Sequence, residues 1–175
     1  MNTGQSILTI AAMLLLSVLV LRVNTNLFYT GTAVSSSKIG LTAISIAQSR
    51  LEEIKSKWFD DATDGVATTN INLLTSPSSL GPEAGETYPA GYNDIDDFNG
   101  FTKTDSVLID PTLSSTKGNQ NYFNEYCSVV YVSPNNPDVT SGTRTWCKKI
   151  TVLVAHKLTK DTVKVSTIFS YWVFH

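Results

Sequence analysis

The chain has no proline in its first third and no charged residue in its first 21 positions. No charged residue precedes Arg22, no acidic residue precedes Glu52, and no proline precedes Pro77. The missing charge leaves residues 7–21, ILTIAAMLLLSVLVL, as a nearly unbroken apolar run. In water this run would expose a large apolar surface, so it is expected to lie in lipid or to pack against copies of itself. The missing proline removes the main steric obstacle to one long helix.

Residues that perform chemistry are also scarce, with two cysteines and two histidines in 175 residues. Neither His156 nor His175 lies at metal-ligand spacing, and both are interpreted as ordinary surface or strand-end residues. There is no nucleophile elbow, phosphate-binding glycine loop, zinc motif or haem-attachment motif. We therefore expect neither an enzyme nor a cofactor. The net charge of −2 and the absence of a basic stripe predict no nucleic-acid partner.

A retained anchor is favoured over a cleaved secretory signal. The first six residues, MNTGQS, contain no Lys or Arg, and no small-x-small cleavage site follows Leu21. Residues 1–21 are uncharged and together are long enough to cross a bilayer. Arg22 would then mark one membrane interface.

An amphipathic helix is predicted after residue 40, because apolar positions recur there at steps of three and four. Those predicted to pack against the sheet are Ile44, Ala47, Leu51, Ile54 and Trp58. Arg50 is predicted to lie on the opposite, charged face of this helix. The helix is expected to end between residues 58 and 61. Residues 24–37 have poor helix propensity, so helix is expected on both sides with local melting or a bend between them.

The rest of the chain is predicted to be a long loop followed by an antiparallel sheet. Pro and Gly punctuate residues 64–100, whereas period-two patterns predict strands at 101–109, 126–132, 149–156 and 162–174. The fold class is therefore α+β, a long N-terminal helix packed on a C-terminal antiparallel sheet. The predicted domains are 1–28, the apolar helix; 29–61, its amphipathic continuation; and 62–175, the loop and sheet.

Cys127 and Cys147 are predicted to form a disulfide, as a lone pair in an exported domain most often does. Pro137 lies midway between them, inside the turn sequence SPNNPD. A hairpin centred there would place the two cysteines opposite each other. The alternative is two free thiols.

The acidic run YNDIDDFNGF offers Asp94, Asp96 and Asp97 as weak candidate ligands for a hard cation such as Ca²⁺. The spacing does not match an EF-hand loop, because Phe98 stands where a third ligand should be. The favoured interpretation is that these side chains form Asx-type turns that order the loop.

The order of the predicted elements and several short sequence segments resemble the type IV pilin and pseudopilin superfamily. The similarity covers the apolar half-helix, its amphipathic second half, the loop and the sheet. Locally it is carried by AISIAQSRLEEIKSKWFDD, by YNDIDDFNGF, and by KKITVLVAHK followed by VKVSTIFSY, which are similar to minor-pilin sequences. The resemblance implies a pilin-like fold without a cofactor.

The N-terminus departs from the family's pattern. Family members are cut after a glycine and carry a glutamate at the fifth residue of the mature chain. Cutting after Gly4 would place Thr9 at that position, and a start at Met1 would place Gln5 there. Neither side chain supplies the carboxylate that pairs with a neighbouring subunit's amino terminus. The assembly chemistry is therefore expected to be modified, or the N-terminus to be processed differently.

The resemblance implies a structural subunit of an extracellular type IV pilus-like filament, held in the inner membrane before pilus assembly machinery extracts it into a homopolymer. Gly31 and Gly40 are candidates for bending or close approach. Alternatives are a minor pilin or type II secretion pseudopilin that primes or caps assembly, and a membrane-anchored surface domain that never polymerises. The expected filament-core residues are Gln5, Ile7, Leu8, Ile10, Leu14, Leu15, Leu16, Val18, Leu19, Val20 and Leu21.

Overall fold

A computed structural model describes residues 3–107, 121–157, 159 and 161–171. The chain divides into two units, Met1–Ile39 and Gly40–His175. The first unit is helical throughout its described residues. The second contains the end of the same helix and an antiparallel sheet, so the predicted α+β class is confirmed.

The helix α1, Thr3–Lys55, is continuous. Residues 24–37 are helical throughout, so the expected local melting does not occur, and hydroxyl groups there donate to carbonyl oxygens of the preceding turn. Thr25 Oγ1 donates to the carbonyl of Leu21 at 2.8 Å, and Ser37 Oγ donates to that of Ala33 at 2.9 Å. The helix ends at Lys55, a little before the predicted end, in a tight turn in which Lys57 N donates to the Ile54 carbonyl.

The buried stripe of α1 in the second unit differs in part from the predicted one. Ala47, Leu51 and Ile54 are buried as predicted, whereas Ile44 is 39% exposed and Trp58 is 49% exposed. Ala43 is buried in place of Ile44, and Trp58 lies beyond the end of the helix. The predicted packing of Ile44 and Trp58 is therefore corrected. Spacing alone does not distinguish adjacent apolar positions, and here the smaller residue faces inwards.

Five strands form the sheet: β1 Thr102–Val107, β2 Asn121–Ser133, β3 Asn136–Thr140, β4 Cys147–His156 and β5 Thr162–Ser170. They follow the order β1-β2-β4-β5, with β3 paired to β2, and every pairing is antiparallel. The four predicted strands correspond to β1, β2, β4 and β5. The ends predicted at 108–109 and 172–174 lie outside the described residues. Strand β3 was not predicted from the sequence.

Strand β4 shows how the sheet faces the core. Its residues alternate strictly between half-buried and buried, and Ile150, Val152 and Val154 are fully buried. On β5, Phe169 is buried. The loop before the sheet is anchored beside the helix end by the backbone bridge between Trp58 and Asp94. This bridge places the acidic loop segment next to α1.

Candidate functional site

The apolar segment of residues 7–21 is the largest exposed hydrophobic feature in the first unit. Its Ile, Leu, Met and Val side chains are between 52% and 73% exposed. Three consecutive leucines, Leu14 to Leu16, ensure that apolar side chains point in several directions around the helix. This arrangement differs from a one-sided amphipathic stripe and is typical of a helix surrounded by lipid or by other helices. Gln5 is exposed at the start of the helix.

The few polar side chains within this segment are satisfied by the helix itself. Thr9 Oγ1 donates to the Ser6 carbonyl at 2.9 Å, and Ser17 Oγ donates to the Met13 carbonyl at 2.8 Å. These bonds remove the cost of placing a hydroxyl group in an apolar environment. By length and composition α1 is able to cross a membrane, and its apolar window is wholly exposed.

A second candidate site is an acidic cluster in the loop before β1. Asp94 Oδ1 accepts hydrogen bonds from the backbone N–H groups of Asp96, at 2.8 Å, and Asp97, at 3.2 Å. Asp97 Oδ2 accepts from Asn93 N at 2.8 Å and from Asp94 N at 3.1 Å. The Asx-type turns that the sequence favours are therefore present. They occupy only one oxygen of each carboxylate.

The remaining oxygens, Asp94 Oδ2 and Asp97 Oδ1, are buried without a hydrogen-bond partner. Glu83 Oε2 is also buried without one. One carboxylate oxygen from each of these three residues lies within 4.8 Å of the others. Burial, together with the adjacent Glu86 carboxyl, raises the pKa of Glu83 to about 8. Burial and the charges of Asp96 and Asp97 raise the pKa of Asp94 to about 9. Burial likewise raises the pKa of Asp97 to about 6.

Asp96, the third predicted ligand, faces a different partner. Its Oδ1 accepts a hydrogen bond from Lys148 Nζ at 2.6 Å, and the same ammonium donates to Asp60 Oδ2 at 2.8 Å. Lys148 and Asp60 are fully buried and Asp96 is nearly so. Burial raises the pKa of Asp96, although the Lys148 charge opposes that shift. The structure therefore brings Asp94 and Asp97 together with Glu83 and assigns Asp96 to a buried ion-pair network.

Asp60 is the most heavily bonded carboxylate of that network. Besides Lys148, it accepts hydrogen bonds from the Tyr131 hydroxyl at 3.1 Å and from Thr75 N at 3.0 Å. Lys148 Nζ also donates to the Phe59 carbonyl at 2.8 Å. Because Tyr131 on β2 pairs directly with Lys148 on β4, the network joins the sheet to the loop segments around residues 60, 75 and 96. It organises the loop that holds the acidic cluster.

Arg50 forms a second buried ion pair, which contradicts its predicted place on the charged outer face of the helix. Its Nε donates to Glu125 Oε2 on β2 at 2.8 Å, and its NH1 donates to the Tyr88 hydroxyl at 2.6 Å. The guanidinium lies 4.9 Å from the centroid of the Phe101 ring. Although burial lowers the pKa of Arg50, its bonds to Glu125 and Tyr88 raise it above the ordinary value. Arg50 thus fastens α1 to the sheet.

The predicted disulfide is not supported, because Cys127 and Cys147 are both free. The register explains why: Cys127 lies opposite Val152, five positions beyond Cys147. The turn residues SPNNPD close a short hairpin between β2 and β3, and not the β2–β4 pair. Burial raises the pKa of the Cys127 thiol to about 12. His156 is the last residue of β4, as the strand-end interpretation predicts, and its ring is buried against Phe123 with ring centroids 5.1 Å apart. His175 lies outside the described residues.

Neither a protein-family model, nor a curated protein, nor a solved structure matches this chain. The arrangement itself, a long apolar N-terminal helix joined to an antiparallel sheet, is compatible with a pilin-like subunit. The apolar helix is also able to anchor the chain in a membrane.

Proposed function

We propose that this chain is a structural subunit of an extracellular type IV pilus-like filament. Before assembly, the apolar helix holds the subunit in the inner membrane. Assembly machinery then moves it into a helical homopolymer in which the apolar helices form the core and the sheets form the wall. In this proposal the chain performs no catalysis and binds no nucleic acid.

The observation that carries the proposal is the exposure of an uncharged apolar segment within a helix that continues into the sheet-bearing unit. A cleaved signal needs only a short apolar segment, whereas this helix extends unbroken to Lys55. Its hydroxyl groups are already bonded within the helix, so lipid and neighbouring apolar helices are both acceptable environments. The same surface therefore serves the membrane-bound and assembled states.

Removing this apolar surface from water contributes a large favourable free energy. Full burial of one Leu or Ile side chain contributes about 1.5–3 kcal/mol when the side chain leaves water. In lipid that gain is already present, so assembly depends on close packing between the helices. At Gly31 and Gly40 no atom of the subunit lies within 4 Å of the position that a side-chain Cβ would occupy, so any close approach at these residues would be to a neighbouring helix.

A second candidate function is a minor pilin or pseudopilin that primes or caps assembly. It is favoured by the absence of any carboxylate before Glu52, since the apolar segment then offers no acid to a neighbour's amino terminus. Gln5 offers such an amine only a neutral hydrogen-bond acceptor. A subunit present in few copies tolerates this weaker contact more readily than one repeated along a filament.

Replacing Leu15 or Leu19 with Asp is expected to abolish filament assembly while the sheet remains folded. Both leucines are more than 60% exposed, so neither contributes to packing within the subunit. A carboxylate in the filament core would be buried without a partner. The measurement is the yield of sheared filaments, together with circular dichroism of the purified chain in detergent.

Two comparisons make this test specific. Leu73→Asp introduces the same charge at a loop leucine that is 60% exposed, and it is expected to leave assembly unchanged. Leu15→Ala removes apolar surface without adding charge, and it is expected to keep the chain in the membrane fraction while reducing filament yield. Normal filaments from Leu15→Asp and Leu19→Asp would refute the assignment of the apolar segment to the core.

A further inference from the structure

The acidic cluster has an electrostatic problem that its own side chains do not solve. Asp94 and Asp97 are both 0% exposed, and each keeps one buried oxygen without a hydrogen-bond partner. Glu83 contributes a third such oxygen. Among the described residues, the ion pairs of the chain involve other carboxylates than these three. Buried carboxylates without a counter-charge are costly unless a proton or a cation neutralises them.

The three side chains are arranged as a ligand set. One oxygen from each lies within 4.8 Å of the others, a spacing that two ligands bound about 2.4 Å from one central ion can have. The second oxygens of Asp94 and Asp97 are held in place by the backbone N–H groups of residues 93, 94, 96 and 97. Such outer bonds orient the carboxylates before an ion arrives.

We propose that Glu83, Asp94 and Asp97 form a Ca²⁺ site that fastens the loop of residues 82–99 beside the end of α1. An all-oxygen, carboxylate-rich set selects hard cations. Ca²⁺ suits it better than Mg²⁺, because Mg²⁺ demands ligands at about 2.0–2.1 Å in near-ideal octahedral geometry and gives up its waters reluctantly. Ca²⁺ takes six to eight oxygen ligands, so water would complete the coordination shell that the three carboxylates begin.

The position of the site gives the ion a structural task. Trp58 N donates to the Asn93 carbonyl at 3.2 Å, Ile95 N donates to the Trp58 carbonyl at 3.0 Å, and both bonds border Asp94 directly. Lys57 Nζ donates to the Tyr92 carbonyl at 2.6 Å. An ion held by Asp94 and Asp97 would stabilise these bonds by joining Glu83, from the early part of the loop, to the segment that pairs with the helix end. This inference holds whether or not the chain polymerises.

The test uses the full chain in detergent, stripped of metal with a chelator and titrated with Ca²⁺ alone. About 1 mM Ca²⁺, a concentration typical of extracellular sites, is expected to raise the melting temperature by about 5–10 °C. Glu83→Gln is expected to weaken Ca²⁺ binding at least tenfold. Asp97→Asn, which keeps an acceptor oxygen for the turn, is expected to do the same. Asp64→Asn changes an exposed carboxylate outside the cluster and is expected to match the parent chain.

The direction of the stability change caused by Glu83→Gln, measured with and without Ca²⁺, distinguishes a Ca²⁺ site from a group of carboxyls that are neutralised by shared protons. With chelator present, Glu83→Gln is expected to be as stable as the parent or more stable, because a buried amide needs neither a proton nor a cation to neutralise it. With Ca²⁺ present, the same variant is expected to be less stable than the parent. The proposal is overturned if Ca²⁺ leaves the parent's melting temperature unchanged, if Mg²⁺ raises it equally, or if both variants keep the parent's Ca²⁺ affinity.

Discussion

Replacing Lys148 with Met is expected to lower the free energy of unfolding of the sheet-bearing unit by about 3–5 kcal/mol. The ammonium is fully buried and bonds to Asp60, Asp96 and the Phe59 carbonyl. Met fills much of the same volume, so the expected loss comes from two buried carboxylates that no longer have a counter-charge. Chemical denaturation in detergent, followed by tryptophan fluorescence, measures the change.

The neighbouring lysine supplies the control. Lys149 pairs with Asp138, whose side chain is 90% exposed, and such surface pairs contribute about 0–1 kcal/mol. Lys149→Met is therefore expected to cost less than 1 kcal/mol. In the double variant Lys148→Met with Asp96→Asn, part of the stability is expected to return, because one uncompensated charge is removed. Equal losses for Lys148→Met and Lys149→Met would contradict the account of the buried network.

Replacing Arg50 with Met is expected to cost about 3 kcal/mol and to loosen α1 from the sheet. Glu125 would lose the partner that holds its Oε2 at 2.8 Å, and this carboxylate is 1% exposed. Burial already raises the pKa of Glu125, and the hydrogen bond from Arg50 opposes that shift. The unfolding free energy and the hydrogen exchange of the helix amides around residue 50 together measure the effect.

Two further variants define the contribution of the Arg50 pair. Lys55→Met disrupts an i,i+3 pair with Glu52, which is 70% exposed, and is expected to change stability by about 0.5 kcal/mol or less. Glu125→Gln in the Arg50→Met background removes the buried carboxylate that has lost its counter-charge. It is expected to recover much of the lost free energy of unfolding. Purely additive effects of Arg50→Met and Glu125→Gln would show that the two side chains are not coupled.

The features that follow from local pattern were predictable from the sequence. The absence of proline and charge predicts the long helix, and the alternation in KKITVLVAHK predicts β4. The short turn after β4 predicts its antiparallel pairing with β5, which the structure confirms. These are consequences of spacing within a few residues.

The two buried cations were missed for a physical reason. Period-two alternation places Lys148 on the same face of β4 as Ile150 and Val152, and this signal was available in the sequence. It was overlooked because a lysine is normally assigned to the surface. Arg50 lies beside Leu51 on the helix, so the burial of one brings the other close to the sheet. To predict such buried cations, the alternation of buried positions must be given more weight than the usual exposure of lysine and arginine.

Long-range features depend on the path of the chain and were not predictable. Glu83 meets Asp94 and Asp97 only because the loop folds back, and no local spacing predicts that meeting. The register error at Cys127 has the same origin, since the insertion of β3 shifts how β2 and β4 pair. At one position of the helix Ala43 is buried and not Ile44, because both residues are apolar and spacing does not distinguish them.

The most direct test of the proposed filament is electron microscopy of sheared surface material labelled with gold-coupled antibody against the sheet. The account predicts label along the whole length of filaments, because every subunit would contribute its sheet to the wall. Label confined to filament tips would contradict a role as the main subunit and favour the minor-pilin candidate. Label on membrane fragments alone would contradict assembly and leave α1 as a simple anchor.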